Sequence, residues 1–138
     1  MYDPRLIVHV TAGRRNNLSP DQNAIRDSIE ALVTESDFRL SINMHGSDTV
    51  GERFQYLKSC NGVIILAMSQ WRAKRLHRAQ EEVTFPSEFM HMVAVMTVAA
   101  RKPLLVLREK SVGERGAFRR GYLHPVVDIP SPLDPAWC

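Results

Sequence analysis

The chain has 138 residues, 44% of them apolar and 24% charged, with a formal net charge of +3 at pH 7. These values are ordinary for one soluble globular domain, and the length is enough to bury a core without metals or disulfides. No apolar run is long enough to span a bilayer, no signal peptide is evident, and Cys60 and Cys138 do not make a disulfide framework. We therefore expect a cytoplasmic protein with no membrane partner.

The first element is an apolar, β-branched segment typical of a buried strand, Leu6 to Ala12. A polar loop follows, and the next residues predict a helix. Ser19 can cap this helix, Pro20 takes its first position, and Gln22 completes a capping box. Its apolar residues share one face at helical spacing: Ile25, Ile29, Leu32 and Val33.

The middle of the chain predicts a half-exposed strand from Phe38 to Met44 and a second helix that ends near Cys60. The clearest central strand runs from Gly62 to Ser69. The next stretch, Gln70 to Val83, is polar and basic, and its sequence is compatible with a loop, a short helix or both.

The last third predicts a helix from about Pro86 to Ala100, a fourth strand in PLLVLRE and a short fifth strand in HPVVDIP. The final SPLDPAWC is rich in proline and cannot continue regular structure. We expect one domain, residues 1–138, and the tail suggests that it is a module of a longer protein.

Strands that alternate with helices predict an α/β fold with a parallel sheet covered on both faces. Five strands in a chain of this length favour the flavodoxin-like three-layer fold with strand order 2-1-3-4-5. Ligands in such sheets bind beyond the carboxyl ends of the strands where the order reverses, here between strands 1 and 3.

The loop after strand 1 supplies candidate ligand-binding residues at this edge: Thr11, Gly13, Arg14 and Arg15. The arginines and the following helix N-terminus suit an anionic group such as a nucleotide phosphate. There is no G-x-G-x-x-G fingerprint and no Walker loop. No spacing of His and Cys predicts a metal site, and no aromatic residues interleave with the basic ones as extended nucleic acid binding would favour.

The helix after strand 3 also begins at this edge, which makes Glu88 in its first turn a candidate site residue. The alternative is that Glu88 only stabilises the helix N-terminus through the macrodipole. His91 shares its face and is either a ligand-binding or a packed residue. Trp71, just after strand 3, is either a stacking surface for a base or sugar or a packing residue.

Three stretches carry a family pattern: LIVHVTAGRRNN, CNGVIILAMSQW, and SEFMHM followed by ARKPLLVLREKSVGERGAF. Cys60 to Ser69 matches a Cys-led apolar strand ending in Ser, Arg101 to Pro103 matches a Gly-Lys-Pro turn, and Glu109 to Val112 matches an acidic continuation with Gly116 after it. The chain thereby resembles Toll/interleukin receptor (TIR)-like domains and the related nucleoside 2-deoxyribosyltransferase-like group.

This resemblance implies a nucleotide-binding domain that cleaves the N-glycosidic bond of NAD⁺ or a related nucleotide in bacterial defence or signalling. NAD⁺ would be the substrate, with no separate cofactor. The matching helix position makes Glu88 the catalytic carboxylate, which would stabilise an oxocarbenium-like sugar. The strand 1 loop would hold the rest of the dinucleotide, and Ser69 at the end of strand 3 is counted with the substrate-binding residues.

The spacing of the helix departs from these families, because Val93 stands where their glutamate lies relative to Lys102. Glu81 and Glu82 are further acidic candidates. Two other hypotheses stay open. One is a non-catalytic module that assembles with itself or with other TIR-like domains, and the other is a nucleoside N-glycoside hydrolase or transferase.

Overall fold

The computed structural model describes residues 3–42, 49–112, 116–119 and 124–129. It contains three α-helices, seven strands and two 3₁₀ turns within these ranges. The helices are α1 (Pro20–Glu35), α2 (Val50–Ser59) and α3 (Glu88–Ala99). The strands are β1 (Ile7–Thr11), β2 (Arg39–Ser41), β3 (Gly62–Ala67), β4 (Trp71–Arg75), β5 (Arg78–Phe85), β6 (Leu104–Glu109) and β7 (Val126–Ile129).

Five of the strands form one sheet in which every neighbouring pair is parallel, in the order β2-β1-β3-β6-β7. Counted among these five strands alone, this is the flavodoxin-like order that the sequence predicts. The α/β three-layer prediction is therefore confirmed. The remaining strands, β4 and β5, pair with each other in a separate antiparallel sheet. Because they lie between β3 and β6 in the chain, the fourth and fifth strands of the main sheet are numbered β6 and β7.

The helices cover both faces of the main sheet. On one face, α1 packs Ile25, Ile29 and Val33 against side chains of β1, β3 and β6. On the other face, α2 and α3 pack against β3 and β6, with Leu57 and Val93 fully buried. Burial of each large apolar side chain stabilises the fold by about 1.5–3 kcal/mol, so these two clusters hold the layers together.

The capping box predicted for α1 is present. The Ser19 hydroxyl accepts a hydrogen bond from the Gln22 backbone N–H at 3.1 Å, and the Gln22 side chain accepts one from the Ser19 N–H at 3.0 Å. Thr49 caps α2 in a similar way, accepting from the Glu52 N–H. These caps fix where both helices begin relative to the carboxyl edge of the sheet.

The prediction of a loop or short helix between Gln70 and Val83 is wrong. Trp71 to Arg75 and Arg78 to Phe85 form an antiparallel hairpin instead. The physical reason is local pairing: Arg72 lies opposite Thr84, and its Nε is 3.3 Å from Glu82 Oε1 on the return strand. Cross-strand pairs of this kind stabilise a ribbon whose sequence lacks apolar alternation.

The other boundaries agree within a few residues. The second strand is shorter than predicted, Arg39–Ser41, and residues 43–48 lie outside the described ranges, as does the proline-rich tail. The third helix runs from Glu88 to Ala99, within the predicted span. Among the described residues, no helix combines the length and apolar character needed to cross a membrane.

Candidate ligand-binding site

A cavity of about 460 Å³ opens at the carboxyl edge of the main sheet, beside β1 and β3 where the strand order reverses. Its volume is within the range of small-molecule sites. It is lined by the segment from His9 to Arg14, by Asn17 and Arg26, by Ile42 after β2, by Arg53 of α2, by Gln70 after β3, and by Ser87, Phe89 and Met90 of α3. The cavity lies where the sequence predicts a ligand-binding crevice.

Positive charge dominates the lining. Three arginines contribute to it, Arg14, Arg26 and Arg53, and none of the described lining residues is an aspartate or glutamate. Arg26 is partly neutralised, because its Nε is 3.0 Å from Glu30 Oε1. Its Nη1 also donates to the Gly13 carbonyl at 2.9 Å, which fixes the loop after β1 against α1. The cavity is suited to an anionic ligand.

The two adjacent arginines of the β1 loop have different positions. Arg14 lines the cavity, whereas Arg15 is outside the lining and turns toward the outer side of α1. The Arg15 guanidinium is 2.6 Å from Asp27 Oδ1 and 3.5 Å from Glu30 Oε2. Of the predicted phosphate-binding pair, only Arg14 is therefore at the cavity.

Arg53 reaches the cavity from α2, a helix that sequence reasoning did not connect with the site. Its guanidinium stacks over the ring of Phe89, with 4.9 Å between Cζ and the ring centroid. A cation–π contact of this kind restricts the arginine to one part of the cavity wall. Phe89 thereby joins α3 to α2 at the cavity.

The N-terminus of α3 also faces the cavity. Ser87 is its N-cap residue, but the Ser87 hydroxyl makes no capping hydrogen bond to the first turn. The first backbone N–H groups of a helix have no partners within the helix and carry partial positive charge. Ser87, Phe89 and Met90 all line the cavity, so these donors add to the positive field of the arginines.

The floor of the cavity includes a neutral histidine. His9 of β1 is only 1% exposed and stands edge-on to Tyr56, with 5.4 Å between ring centroids. Burial lowers the pKa of His9 to about 4, and the nearby backbone of Ser41 opposes this shift to a smaller extent. Neither ring nitrogen of His9 forms a hydrogen bond of good geometry with the described residues. At neutral pH, His9 therefore adds no charge to the site.

Gln70 closes one side of the cavity. Its side-chain amide lies so close to Gly13 that a Cβ at position 13 would be 2.1 Å from Nε2. Only a residue without a side chain fits there while Gln70 keeps this position. The Gln70 Nε2 is buried and has no hydrogen-bond partner among the described groups.

Thr11 and Ser69, both predicted to bind substrate, differ in their surroundings. Thr11 lines the cavity, is 6% exposed, and its hydroxyl lies 4.0 Å from Met90 Sδ. Ser69 is outside the lining. Its hydroxyl is 3.1 Å from that of Thr84 and 2.7 Å from that of Ser111, which ties the hairpin to the end of β6.

The backbone of Ser69 takes part in the same structural junction. Its N–H donates to Glu109 Oε1 at 2.8 Å, and its carbonyl accepts from Gln22 Nε2 at 3.0 Å. Gln22 Nε2 also donates to Glu109 Oε1 at 2.7 Å. These bonds join α1, β3 and β6, so the described contacts of Ser69 are structural.

Glu88, Trp71 and His91 are also absent from the lining. Glu88 is exposed at the first position of α3, between two residues that do line the cavity. Trp71 begins the hairpin and is 60% exposed. Of the two further acidic candidates, Glu82 pairs with Arg72 on the hairpin.

His91 packs rather than facing the cavity. Its ring lies against Phe118, with 4.2 Å between centroids, and it approaches Gly116 closely. Partial burial lowers the pKa of His91, while the Glu88 carboxylate opposes this to a smaller extent. The environment of His91 agrees with the packed alternative.

The sequence did not predict His9, Arg26, Arg53 and Gln70 as site residues. His9 had a recognisable signal, because a histidine interrupts an otherwise apolar strand. Arg53 had a weaker one, since it lies near the start of a helix that begins at the carboxyl edge. The described ranges contain no group of three or more His, Cys, Asp or Glu side chains placed to hold a metal ion.

No protein-family model matches this chain, and no curated protein shows significant sequence similarity to it.

Proposed function

We propose that this domain binds a nucleotide in the cavity beside β1 and β3, with the phosphate groups against Arg14, Arg53 and the N-terminus of α3. The observation that carries the proposal is the composition of the lining: three arginines and no carboxylate among its described residues. Guanidinium groups and helix N-terminal N–H groups are the donors that phosphate oxygens accept best.

The neutral part of the cavity supports a ligand that is only partly charged. Phe89 and Met90 offer apolar surface, and Thr11 offers a hydroxyl, within the same lining that contains the arginines. A sugar and a base need such apolar surface with a few polar groups. A nucleotide combines both parts, whereas inorganic phosphate would use only the cationic part.

Cleavage of an N-glycosidic bond is the activity that the TIR-like resemblance adds. It requires a carboxylate close to the ribose to stabilise the developing positive charge. Glu88 is the candidate, yet its carboxylate is exposed and outside the cavity lining. The geometry of the described residues therefore favours nucleotide binding as the function, and NAD⁺ is one ligand to be tested.

The proposal is tested by calorimetric titration with NAD⁺, ADP, AMP and adenosine. We expect the three phosphate-bearing ligands to bind and adenosine to bind about tenfold more weakly or not at all, since hydrogen bonds to charged groups contribute about 1.5–3 kcal/mol each. Arg14→Ala and Arg53→Ala should each weaken ADP binding by about tenfold or more for the same reason.

Arg15→Ala is the matched control, because it removes the same charge from the next residue in the chain. Its guanidinium is bound to Asp27 on the outer side of α1, so ADP affinity should stay within about twofold of the unmodified protein. Equal binding of adenosine and ADP would contradict the phosphate assignment. Equal losses for Arg14→Ala and Arg15→Ala would contradict the assignment of the cavity.

A further inference from the structure

Gln70 presents a side-chain amide at the cavity that the described protein leaves unused. The residue lines the cavity shortly after the end of β3. Its Nε2 is buried without a hydrogen-bond partner, and among the described residues no hydrogen bond involves its Oε1. An amide offers N–H donors and an acceptor oxygen, and a buried donor without a partner is costly. The group is therefore available to a ligand in the cavity.

The backbone on either side of Gln70 is held in place. On one side, the Ser69 N–H donates to Glu109 Oε1 at 2.8 Å, and the Ser69 carbonyl accepts from Gln22 Nε2 at 3.0 Å. On the other side, Trp71 is paired in the β4–β5 hairpin. A side chain that extends from a fixed backbone loses less conformational freedom when it binds a ligand, so Gln70 is well placed for recognition.

The amide of Gln70 lies beside the loop that contributes Arg14 to the cavity. It is so close to Gly13 that a Cβ there would be 2.6 Å from the amide carbon Cδ. The loop is fixed in turn, because Arg26 Nη1 donates to the Gly13 carbonyl at 2.9 Å. Rotation about the last bond of the Gln70 side chain turns the Nε2 donor from Gly13 toward the cavity. This rotation breaks no hydrogen bond among the described residues, so the donor can reach a ligand at little cost.

The edge of a purine base is the part of a nucleotide that fits this amide. Arg14, which follows Gly13, lines the same part of the cavity and is assigned to phosphate groups, so the base edge nearest the phosphates meets Gln70. In a purine nucleotide this edge carries N7 and the substituent at C6. Adenine presents there an N7 acceptor beside an N6 amino donor, which a glutamine amide binds with two hydrogen bonds. Guanine and hypoxanthine present two acceptors, N7 and O6, one of which would face the amide oxygen.

We propose that Gln70 selects the base in this cavity by binding N6 and N7 of an adenine nucleotide. The inference rests on the nucleotide-binding function proposed above, and it adds the identity of the base and the residue that recognises it. Oε1 accepts from N6, and Nε2 donates to N7. The arginines and the N-terminus of α3 contact phosphate groups, which are the same in every nucleotide, so they do not distinguish one base from another.

Calorimetric titration with three diphosphates that differ only in the base tests this proposal: ADP, inosine diphosphate and 7-deaza-ADP. Inosine diphosphate has O6 in place of the 6-amino group, and 7-deaza-ADP lacks N7. All three keep the same sugar and phosphates. We expect the unmodified chain to bind ADP at least about tenfold more tightly than either analogue, because each analogue loses one of the two hydrogen bonds of a bidentate contact.

Gln70→Met is the diagnostic variant, because it keeps the length of the side chain and removes the amide. ADP should then bind as weakly as inosine diphosphate, whose own affinity should stay within about twofold. Gln55→Met is the matched control, since this glutamine is exposed on α2 and outside the cavity lining, and it should keep the preference for ADP. Circular dichroism and thermal unfolding verify that both variants are folded. The comparison of the three ligands on the unmodified chain depends on neither variant.

The outcomes separate this inference from the proposed function. If ADP and inosine diphosphate bind equally well to the unmodified chain, and Arg14→Ala weakens both, the phosphate assignment stands and the role of Gln70 is wrong. The role is also wrong if Gln70→Met keeps the preference for ADP, or if it weakens both ligands equally, since the amide would then contact the sugar or phosphates. Failure of all three diphosphates to bind would overturn the proposed function together with this inference.

Discussion

The side-chain amide of Gln70 lies directly against the α-carbon of Gly13, so that the residue after β3 and the loop after β1 meet at the cavity. A Cβ at position 13 would be 2.1 Å from Gln70 Nε2, far inside the contact distance of the two atoms. The size of the residue at position 13 therefore controls where Gln70 lies, and through Gln70 it controls the shape of the cavity.

Gly13→Ala should displace the Gln70 side chain and lower the free energy of unfolding by about 1 kcal/mol or less, because the clashing atoms are the end of a flexible, half-buried side chain that can move. Urea unfolding measures the change. Gly13→Ala in a Gln70→Ala background is the control, because the clashing amide is then absent. We expect the loss in that background to be much smaller, and an equal loss in both would show that Gln70 is not the cause.

Burial of His9 makes stability depend on pH. The pKa of His9 is lowered from 6.5 to about 4, so between these values the unfolded chain binds a proton that the folded chain does not. Stability therefore falls as pH decreases below about 6.5 and stops falling from this source below about 4. Linkage gives a loss of about 2 kcal/mol between pH 7 and pH 4.5.

His9→Leu separates this effect from the titration of other groups, including half-buried His91, whose lowered pKa acts in the same direction. Urea unfolding at pH 7 and pH 4.5 should show a loss that is about 2 kcal/mol smaller in the variant than in the unmodified chain. The same pH dependence in both proteins would show that His9 is already accessible to protons in the folded state.

Buried Arg108 of β6 and half-buried Asp128 of β7 form an ion pair. The carboxylate Oδ1 of Asp128 accepts from Nη2 at 2.9 Å and from Nε at 3.1 Å of Arg108, which is 4% exposed. Asp128→Ala leaves a buried guanidinium without this carboxylate, and we expect a loss of about 3–5 kcal/mol in unfolding free energy.

Asp3→Ala is the control for this prediction, since Asp3 pairs with Arg5 at a similar distance, 2.8 Å, on the surface. It should leave the urea midpoint almost unchanged, because exposed ion pairs contribute little. If the two variants lose similar stability, water reaches the Arg108 guanidinium and the pair is not buried in solution.

Arg101 follows α3 with a φ of 56°, in the left-handed region that favours glycine. Arg101→Gly should raise the unfolding free energy by about 1 kcal/mol, because a side chain in this conformation costs about 1–2 kcal/mol and glycine recovers part of it. Asp37 follows α1 with a φ of 64°, and Asp37→Gly should gain less, since aspartate tolerates this region better. Thermal unfolding ranks the two, and a larger gain at Asp37 would contradict this explanation.

Glu88→Gln distinguishes a helix-terminal acid from a catalytic one. Because the carboxylate is outside the cavity lining, ADP affinity should stay within about twofold, and stability should fall slightly, by about 0.3–1 kcal/mol, through the lost interaction with the helix dipole. Nicotinamide release from NAD⁺ is measured for both proteins at high concentration. Release by the unmodified chain that disappears in the variant would make Glu88 the catalytic carboxylate.

The elements whose signals are local could be predicted from the sequence. The Ser19–Gln22 capping box, the apolar strands and the helical spacing of Ile25 and Ile29 depend on neighbours within a few residues, so they predict helices and strands directly. The alternation of these elements was enough to predict the parallel sheet and its strand order, and the edge at which we expect a ligand is the one where the cavity lies.

Which side chains reach that edge depends on contacts that form only in the folded protein. Arg14 and Arg15 are equivalent in sequence, but the carboxylate of Asp27 binds only the second. Arg53 enters the cavity by stacking on Phe89, which lies far from it in the chain. Glu88 lies between two lining residues, yet each step along a helix turns the side chain by about 100°, and this directs Glu88 away.

The sequence did not predict the hairpin, because its strands too depend on contacts between segments. Its strands are held by pairing between Trp71–Arg75 and Arg78–Phe85, and a polar, basic sequence shows no apolar alternation that would reveal this pairing. Local patterns predict helices and strands because helix hydrogen bonds join nearby residues and because apolar side chains recur with a regular period along each element. The direction of a side chain toward a site depends on contacts with distant segments, which only the folded structure brings together.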